Sequence, residues 1–264
     1  MPKVKDIVSY FTALIPPEMK MDFDNVGLLV GINESEVKRA LVALDITEDV
    51  IDEAIRANAQ IILSHHPMYF ELKQVNDSSL VGGKIVKMLR NGISGFCQHT
   101  NLDSVQGGVN DALAQKLGVR VDGYLEGPSV TSSDIEYGMG RYGHLLSPVD
   151  FMEYLNAVKT SLNAEGLRYH FAGKPVDRVA LCGGSGGNFV EDAVKLNCDT
   201  LVTADLKYDR FLAAKELKLN LIDADHFSTE NVVVPVLAEL LKKGFPDIEV
   251  IIASSSHPTA NFYI

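Results

Sequence analysis

The side chains of this sequence that could carry out chemistry are histidines and carboxylates that follow short apolar runs. His65 and His66 come directly after the run Ile61–Leu63. Because the carboxyl ends of parallel strands meet at one edge of a sheet, residues placed after such strands are expected to lie together. Six side chains follow this pattern: His65, His66, His99, Asp103, His226 and Glu230.

The spacing of these residues fits two metal ions better than one. Neighbouring side chains on extended backbone point in opposite directions, so His65 and His66 are expected to serve one ion each. His226 and Glu230 are four residues apart and share a face if they lie on one helical turn. The carboxylate of Glu230 could bridge two ions roughly 3.5–4 Å apart, the spacing of two-metal hydrolytic sites. With Asp103 as a further oxygen ligand, the sequence predicts a dinuclear site.

The charges of this ligand set indicate what it could bind. Asp103 and Glu230 only partly neutralise two divalent ions, so the excess positive charge favours a hydroxide and an anionic substrate such as a phosphate. Five protein ligands leave coordination positions open, unlike closed structural sites. Nitrogen and oxygen ligands without thiolate suit zinc, iron, manganese, cobalt or nickel. The prediction is a metal-dependent hydrolase. A non-enzymatic metal-binding or regulatory protein is the alternative, because no substrate-recognition motif is readable.

Three further features each have two interpretations. His99 is the catalytic candidate: it could orient a ligand or shuttle a proton near pH 7, with a structural role as the alternative. The segment Gly183–Gly187 could bind an anion through backbone N–H groups, or could allow a close backbone approach, which we favour. Asp205 could support a ligand, or could lie on the surface.

The elements that position these residues alternate between strand and helix. Apolar residues at helical spacing predict a first helix from Val4, which Pro16 and Pro17 end. The predicted strands cover residues 40–44, 61–63 and 93–97, and the predicted helices cover residues 48–58, 80–90 and 109–117. This alternation predicts an α/β fold with a mainly parallel sheet.

The second half of the chain resembles the first. Val42–Leu44 is echoed by Val179–Leu181, and residues 53–64 are echoed by residues 192–203. We interpret this as pseudo-repeated βαβ units, with chance similarity of two such units as the alternative. Turn residues interrupt the pattern between the repeats. The predicted organisation is two-lobed: a metal-binding α/β lobe from residues 1–124 and 176–264, and a smaller inserted lobe from residues 125–175.

Composition limits the classes of partner. The net charge is −11 and the pI about 5.1, so nonspecific binding to nucleic acid is disfavoured. Cys97, Cys182 and Cys198 match no zinc motif and have apolar neighbours, which predicts buried thiols. We recognise no signal peptide and no run of about 18 apolar residues. The expected location is the cytoplasm, without membrane contact.

Several segments, in this order, resemble the GTP cyclohydrolase type-two-like family, also called the Nif-three-like family. The segments are Asp24–Leu28, Ser64–Pro67, His99–Asp103, Cys182–Gly186, and Leu221–His226 followed by Glu230. The resemblance covers nearly the whole chain, and the combination is far more specific than any one segment.

The resemblance implies a two-lobed α/β fold, a toroidal homohexamer and metal sites that face an inner cavity. It also implies the same five ligands, His65, His66, Asp103, His226 and Glu230, with the glutamate bridging two ions. The family name suggests GTP ring opening, although phosphoester hydrolysis fits such a site equally well.

The sequence departs from the family pattern without losing a ligand. Phe23 stands where the family usually has Trp, Asp225 where it usually has Gly, and Asp209 where it usually has His. The two aspartates are expected to add negative charge near the site and to alter substrate choice.

Overall fold

The computed structural model describes residues 1–262. Its helices are α1 (Val4–Leu14), α2 (Glu48–Arg56), α3 (Leu80–Arg90), α4 (Thr100–Ser104), α5 (Val109–Lys116), α6 (Phe151–Ser161), α7 (Val190–Lys195), α8 (Tyr208–Leu217), α9 (His226–Glu230) and α10 (Val234–Gly244). Its strands are β1 (Gly27–Val30), β2 (Arg39–Ala43), β3 (Ile61–Ser64), β4 (Ser94–Cys97), β5 (Arg120–Gly123), β6 (Glu126–Val130), β7 (Glu136–Met139), β8 (Arg141–Val149), β9 (Arg168–His170), β10 (Val176–Leu181), β11 (Thr200–Thr203), β12 (Asn220–Asp223) and β13 (Glu249–Ile252).

The chain divides into two compact units. The first unit contains residues 1–102 and 233–257, and the second contains residues 103–232 and 258–262. These bounds differ from the lobes predicted from the sequence. Strand β8 of the predicted insertion pairs with β10, and β9 pairs with β12, so two strands within residues 125–175 belong to the sheet of the second unit.

The first unit is built on a five-stranded sheet in the order β1-β4-β3-β2-β13. Strands β4, β3, β2 and β13 are parallel, and β1 is antiparallel to β4. Every residue of β3 and β4 is buried, which explains why Ile61–Leu63 is a continuous apolar run rather than an alternating pattern. Thr47 caps α2 by accepting a hydrogen bond from the backbone N–H of Val50, and this fixes the connection between β2 and β3.

The second unit has a six-stranded sheet in the order β5-β8-β10-β11-β12-β9 and a small ribbon of β6 and β7. Only the central strands β10, β11 and β12 are parallel to one another. The strands at both edges, β5, β8 and β9, pair in antiparallel fashion. Phe151, Tyr154 and Val158 of α6 are buried and contribute to the core of this unit.

The two sheets share one arrangement, which confirms the α/β class and the pseudo-repeat. In the first sheet, β2, β3 and β4 are parallel neighbours, and an antiparallel edge strand, β1, pairs with β4. In the second sheet, β10, β11 and β12 are parallel neighbours, and an antiparallel edge strand, β9, pairs with β12. The mainly parallel sheet predicted from the sequence describes the first unit. In the second unit the additional strands β5 and β8 make antiparallel pairing more frequent.

Two expectations from composition can be compared with these coordinates. The three cysteines are buried free thiols, as predicted. Burial raises the pKa of Cys97 to about 12, so this thiol stays protonated at neutral pH. Within residues 1–262, no helix has the length and apolar character needed to cross a membrane.

Candidate functional site

The adjacent histidines of the first unit lie where β3 ends. The chain bends at His65 and His66 instead of continuing as extended backbone, and the two rings lie on the same side with centroids 4.9 Å apart. The two rings therefore do not point in opposite directions as expected, because the strand stops at Ser64; the assignment of one ion to each histidine stays a prediction. His65 is fully buried, and its Nδ1 donates to the carbonyl of Gln98 at 2.9 Å. His66 Nδ1 donates to Asp45 Oδ1 at 2.8 Å.

His99 follows the neighbouring strand β4 and is held by a buried carboxylate. Its Nδ1 donates to Asp24 Oδ1 at 2.9 Å, and the N–H and hydroxyl of Thr100 donate to Asp24 Oδ2 at 3.0 and 2.5 Å. Burial tends to raise the pKa of Asp24. The hydrogen bonds from His99 and Thr100 outweigh burial and lower that pKa to about 2. Asp24 is thus an ionised, fully engaged acceptor that fixes the His99 ring.

The three side chains His65, His66 and His99 form what we call the imidazole cluster. One ring nitrogen of each lies within 4.8 Å of the corresponding nitrogens of the other two. In every ring Nδ1 faces an oxygen acceptor: a carbonyl for His65 and carboxylates for His66 and His99. A neutral imidazole that donates from Nδ1 keeps its lone pair on Nε2. This hydrogen-bond pattern is typical of metal-ligating histidines.

The second unit positions its histidine at the start of a short helix. Strand β12 ends at Asp223, and Asp225 then adopts a left-handed φ of 67° before α9 begins at His226. The Asp225 carboxylate accepts hydrogen bonds from the N–H and the hydroxyl of Ser228, both at 3.0 Å. The positive φ explains why glycine suits this position. The charge of Asp225 caps the helix, whereas Asp209 is exposed and lies beside Arg210 at 3.3 Å.

His226 and Glu230 lie on one face of α9, as their spacing predicts. His226 Nε2 is 3.0 Å from Glu230 Oε2, and His226 Nδ1 donates to Asp205 Oδ2 at 2.7 Å. Burial lowers the pKa of His226, but the hydrogen bonds and charges of Glu230 and Asp205 outweigh it and raise the pKa to about 9. Asp205 thus supports His226, and a metal ion that binds this imidazole must displace a proton.

Glu230 is a buried carboxylate that lies close to a second one, Asp103. A carboxylate oxygen of Asp103 lies within 4.8 Å of one of Glu230, and Asp103 is itself buried. The backbone carbonyl of Asp103 accepts from Asn110 Nδ2 at 2.9 Å, which fixes the start of the unit. Burial, followed by the charges of Asp103 and Glu230, raises the pKa of Cys182 far above its usual range. Glu230 therefore lies close to both an imidazole and a second carboxylate.

The glycine-rich segment after β10 serves a close backbone approach, the interpretation favoured from the sequence. Gly184 has a φ of +62°, and a Cβ there would lie 2.1 Å from Glu230 Oε1. Most of the N–H groups that an anion would need are already used inside the unit. Gly183, Gly184 and Gly186 donate to side-chain oxygens of Asn110, Thr229 and Thr203 respectively.

The structure thus brings together the predicted residues within each unit. His65, His66 and His99 meet in the first, and Asp103, His226 and Glu230 meet in the second. Sequence reasoning missed Asp45 and did not assign Asp24 a role. Asp45 directly follows the strand predicted at residues 40–44, so its place at the same strand edge as His66 was the available signal.

Comparison with known proteins places these features in a family. The family model described as Duf34/NIF3 (NGG1p interacting factor 3) matches residues 2–258. A protein of Clostridium perfringens named GTP cyclohydrolase 1 type 2 homolog is 36% identical over 265 residues, which cover 98% of this chain and 99% of that one. A Clostridium acetobutylicum protein of the same name is 38% identical over 91% of this chain and 90% of its own.

Solved structures share the fold over the whole length. A Bacillus cereus protein related to NIF3 superposes with a TM-score of 0.91 at 23% identity, covering 99% of both chains. A hypothetical protein of Staphylococcus aureus superposes with a TM-score of 0.90 at 27% identity, also covering 99% of both chains.

Proposed function

The chain belongs to the Duf34/NIF3 family, and from that premise we propose that it binds two divalent metal ions and hydrolyses a small anionic substrate. The proposed substrate class is a nucleotide or another phosphate-containing molecule. The proposed ions are zinc, iron, manganese, cobalt or nickel, which accept mixed nitrogen and oxygen ligands. The proposed metal ligands are His65, His66, Asp103, His226 and Glu230.

The observation that carries this proposal is the hydrogen bonding of the histidine rings. His65, His66 and His226 each direct Nδ1 to an oxygen acceptor, at 2.9, 2.8 and 2.7 Å. Such bonds fix the ring orientation and raise the basicity of the opposite nitrogen, as carboxylates and carbonyls do behind metal-bound histidines. Packing alone would not require that all three histidines form a hydrogen bond from Nδ1. The residues therefore fit a metal in both units.

The bridging role proposed for Glu230 draws on the second unit alone. One oxygen of Glu230 already contacts His226, and the carboxylate also lies close to Asp103. A carboxylate between a nitrogen ligand and an oxygen ligand can contribute one oxygen to each of two ions. The Glu230 carboxylate is buried and Gly184 packs directly against it, and both restrict its movement.

The chemistry that divalent ions supply is positive charge that polarises a phosphoryl or carbonyl group and lowers the pKa of water. The chain's own contribution to proton transfer is His99. Asp24 holds the proton on His99 Nδ1, so that Nε2 can accept a proton from water and pass it to a leaving group. Asp24 is a positioning residue in this scheme, because it acts only through the ring of His99.

Assembly and location are further parts of the proposal. By resemblance to its family, the chain is proposed to form a toroidal homohexamer in the cytoplasm, with the metal ligands facing an inner cavity. Three buried free thiols fit a reducing compartment. The acidic net charge of −11 argues against nucleic acid as a partner of such a ring.

An activity screen tests the proposed reaction. Metal-reconstituted protein is assayed against GTP, nucleoside monophosphates and simple phosphoesters. We expect Asp103→Ala and His226→Ala to abolish turnover because they remove proposed ligands. We expect His99→Gln to lower the rate by about 10²–10⁴-fold at unchanged metal content, the usual contribution of an acid–base group.

His144→Gln is the matched control, because this histidine pairs with Asp122 at 2.9 Å and belongs to neither ligand group. Full activity in Asp103→Ala at wild-type metal content would show that the metals are not catalytic. That result would favour the alternative function, a non-enzymatic metal-binding or regulatory protein.

A further inference from the structure

Two phenylalanines of the first unit, Phe23 and Phe70, are exposed beside the imidazole cluster. Phe23 is 63% exposed and Phe70 is 51% exposed, although phenylalanine is among the residues most often buried. Their ring centroids lie 5.9 Å apart, with the ring planes at 59°. A single exposed apolar side chain needs no explanation, but two adjacent aromatic rings form a small apolar patch.

This patch is continuous with the imidazole cluster. The ring centroid of Phe70 lies 5.9 Å from that of His99. His99 in turn lies 5.2 Å from the ring of His65 and 5.5 Å from that of His66. A row of rings therefore leads from the exposed Phe23 to the proposed metal ligands, all within one unit.

The loops that carry the two rings are fixed to each other. Asn25 Nδ2 donates to the backbone carbonyl of Tyr69 at 3.0 Å, which ties the residues next to Phe23 to those next to Phe70. The hydroxyl of Tyr69 donates to the carbonyl of Leu29 at 2.7 Å and anchors the second loop to β1. Lys20 Nζ donates to the carbonyl of Asp24 at 2.7 Å and holds the first loop. The rings are thus presented by an ordered backbone, which reduces the entropy lost on binding.

We propose that Phe23 and Phe70 form a stacking platform for the planar aromatic or heteroaromatic ring of a substrate whose anionic group binds at the metals. The inference rests on the proposed function, because the metals hold the anionic end. It selects, among phosphate-containing molecules, those that carry a planar ring. Aromatic side chains stack on such rings with little sequence or substituent preference, since every base has a π face.

The test compares two non-hydrolysable probes, phenylphosphonate and methylphosphonate, which share the anionic group and differ in the ring. Dissociation constants are measured by calorimetry on the metal-reconstituted full-length protein. We expect phenylphosphonate to bind roughly tenfold more tightly than methylphosphonate, within the range found for single stacking contacts. Phe23→Ala and Phe70→Ala should each reduce this ratio severalfold while leaving the methylphosphonate constant unchanged.

A conservative variant and a matched control sharpen the result. The chain contains no tryptophan, so Phe23→Trp places the only tryptophan of the protein at the platform, where its emission can be excited selectively. Its emission should respond to phenylphosphonate but not to methylphosphonate, and the ring preference should be retained. Ile32→Ala removes an equally exposed apolar side chain, at 62%, and should change neither constant. Ile32 lies beyond the end of β1 at which Val30 pairs with Gly95. His99 lies beyond the opposite end of the pairing, at which Gly27 pairs with Cys97.

The outcomes separate this inference from the function beneath it. If methylphosphonate binds and no ring preference exists, the platform is refuted while the metal-based function stands. If neither probe binds to metal-loaded protein, anion binding at the metals fails and the platform fails with it. If Phe23→Ala or Phe70→Ala lowers the sedimentation mass and leaves the affinity ratio intact, the rings serve contact between copies of the chain, and the inference is wrong.

Discussion

Gly184→Ala is the substitution whose effect the structure defines most sharply. A Cβ at this position would lie 2.1 Å from Glu230 Oε1, 3.0 Å from Glu230 Cδ and 3.2 Å from His226 Cε1. A contact of 2.1 Å cannot be accommodated, so the carboxylate must move or the loop must shift. Glu230 is buried and its neighbours leave it little room. We therefore expect the substitution to displace the residue proposed to bridge the two ions.

Two contributions to the destabilisation can be separated. The left-handed φ of +62° costs any residue with a Cβ roughly 1–2 kcal/mol. Displacing the buried carboxylate of Glu230 from its hydrogen-bond partner adds roughly 1–3 kcal/mol, the cost of leaving a buried polar group unsatisfied. Gly173→Ala isolates the first contribution, because Gly173 has a φ of +79° and nothing lies within 4 Å of its would-be Cβ.

The assay is urea unfolding together with elemental analysis of the reconstituted protein. Gly173→Ala should lower the free energy of unfolding by roughly 1–2 kcal/mol and keep the wild-type metal content. Gly184→Ala should be clearly less stable than that control and should lose metal. Equal stability and equal metal content in the two variants would refute the close packing of Gly184 on Glu230 and the importance of the Glu230 position.

Two further predictions concern Asp24 and the assembly. The pKa of Asp24 is depressed to about 2, so its ionised form contributes about 2 kcal/mol of stability that is present above pH 4 and is lost as the pH falls from about 4 towards 2. Asp24→Asn should remove this contribution and flatten that part of the curve, measured by unfolding of chelator-treated protein; an unchanged pH profile would show that Asp24 is not held as described. Sedimentation should give a mass near six times the 28.8 kDa chain, and a monomer at micromolar concentration would contradict the proposed ring.

Elements with a strong hydrophobic pattern were predictable from the sequence. The predicted helices at residues 80–90 and 109–117 correspond closely to α3 and α5, and the predicted strand at 61–63 lies within β3. Their hydrophobic patterns are strong because β3 contributes only buried residues and α3 buries one face. The repeat was readable for the same reason, since both copies place continuous apolar strands at the centre of a sheet.

The edge strands could not be predicted in this way. Every residue of β6 is exposed, and three of the four residues of β5 are exposed, so neither carries an apolar pattern. Strand β9 has only three residues and is mostly exposed. These strands form because they pair with strands that are distant in the chain; β9, for example, pairs with β12. Such pairing leaves no signal in the local sequence. The unit boundaries depend on these pairings, which is why they differ from the predicted lobes.

The histidine and carboxylate residues were identifiable, but the groups that orient them were harder to find. Asp24 and His99 are 75 residues apart in the chain, and Asp45 and His66 are 21 apart. Only the fold brings such pairs together. Asp205 was given two alternatives, and the structure has features of both: it is exposed, and it accepts a hydrogen bond from His226. The positive φ of Asp225 explains why glycine is the usual residue at this position in the family.

The metal content of the reconstituted protein tests the central claim most directly. Wild type, His65→Ala and Glu230→Ala are incubated with zinc, manganese and iron, dialysed, and measured by elemental analysis. We expect two ions per chain in the wild type, about one in His65→Ala, and partial loss at both positions in Glu230→Ala, because removing a shared carboxylate leaves two cations closer to unscreened repulsion. A wild-type protein that stays metal-free, or a Glu230→Ala variant that retains both ions in full, would contradict the account.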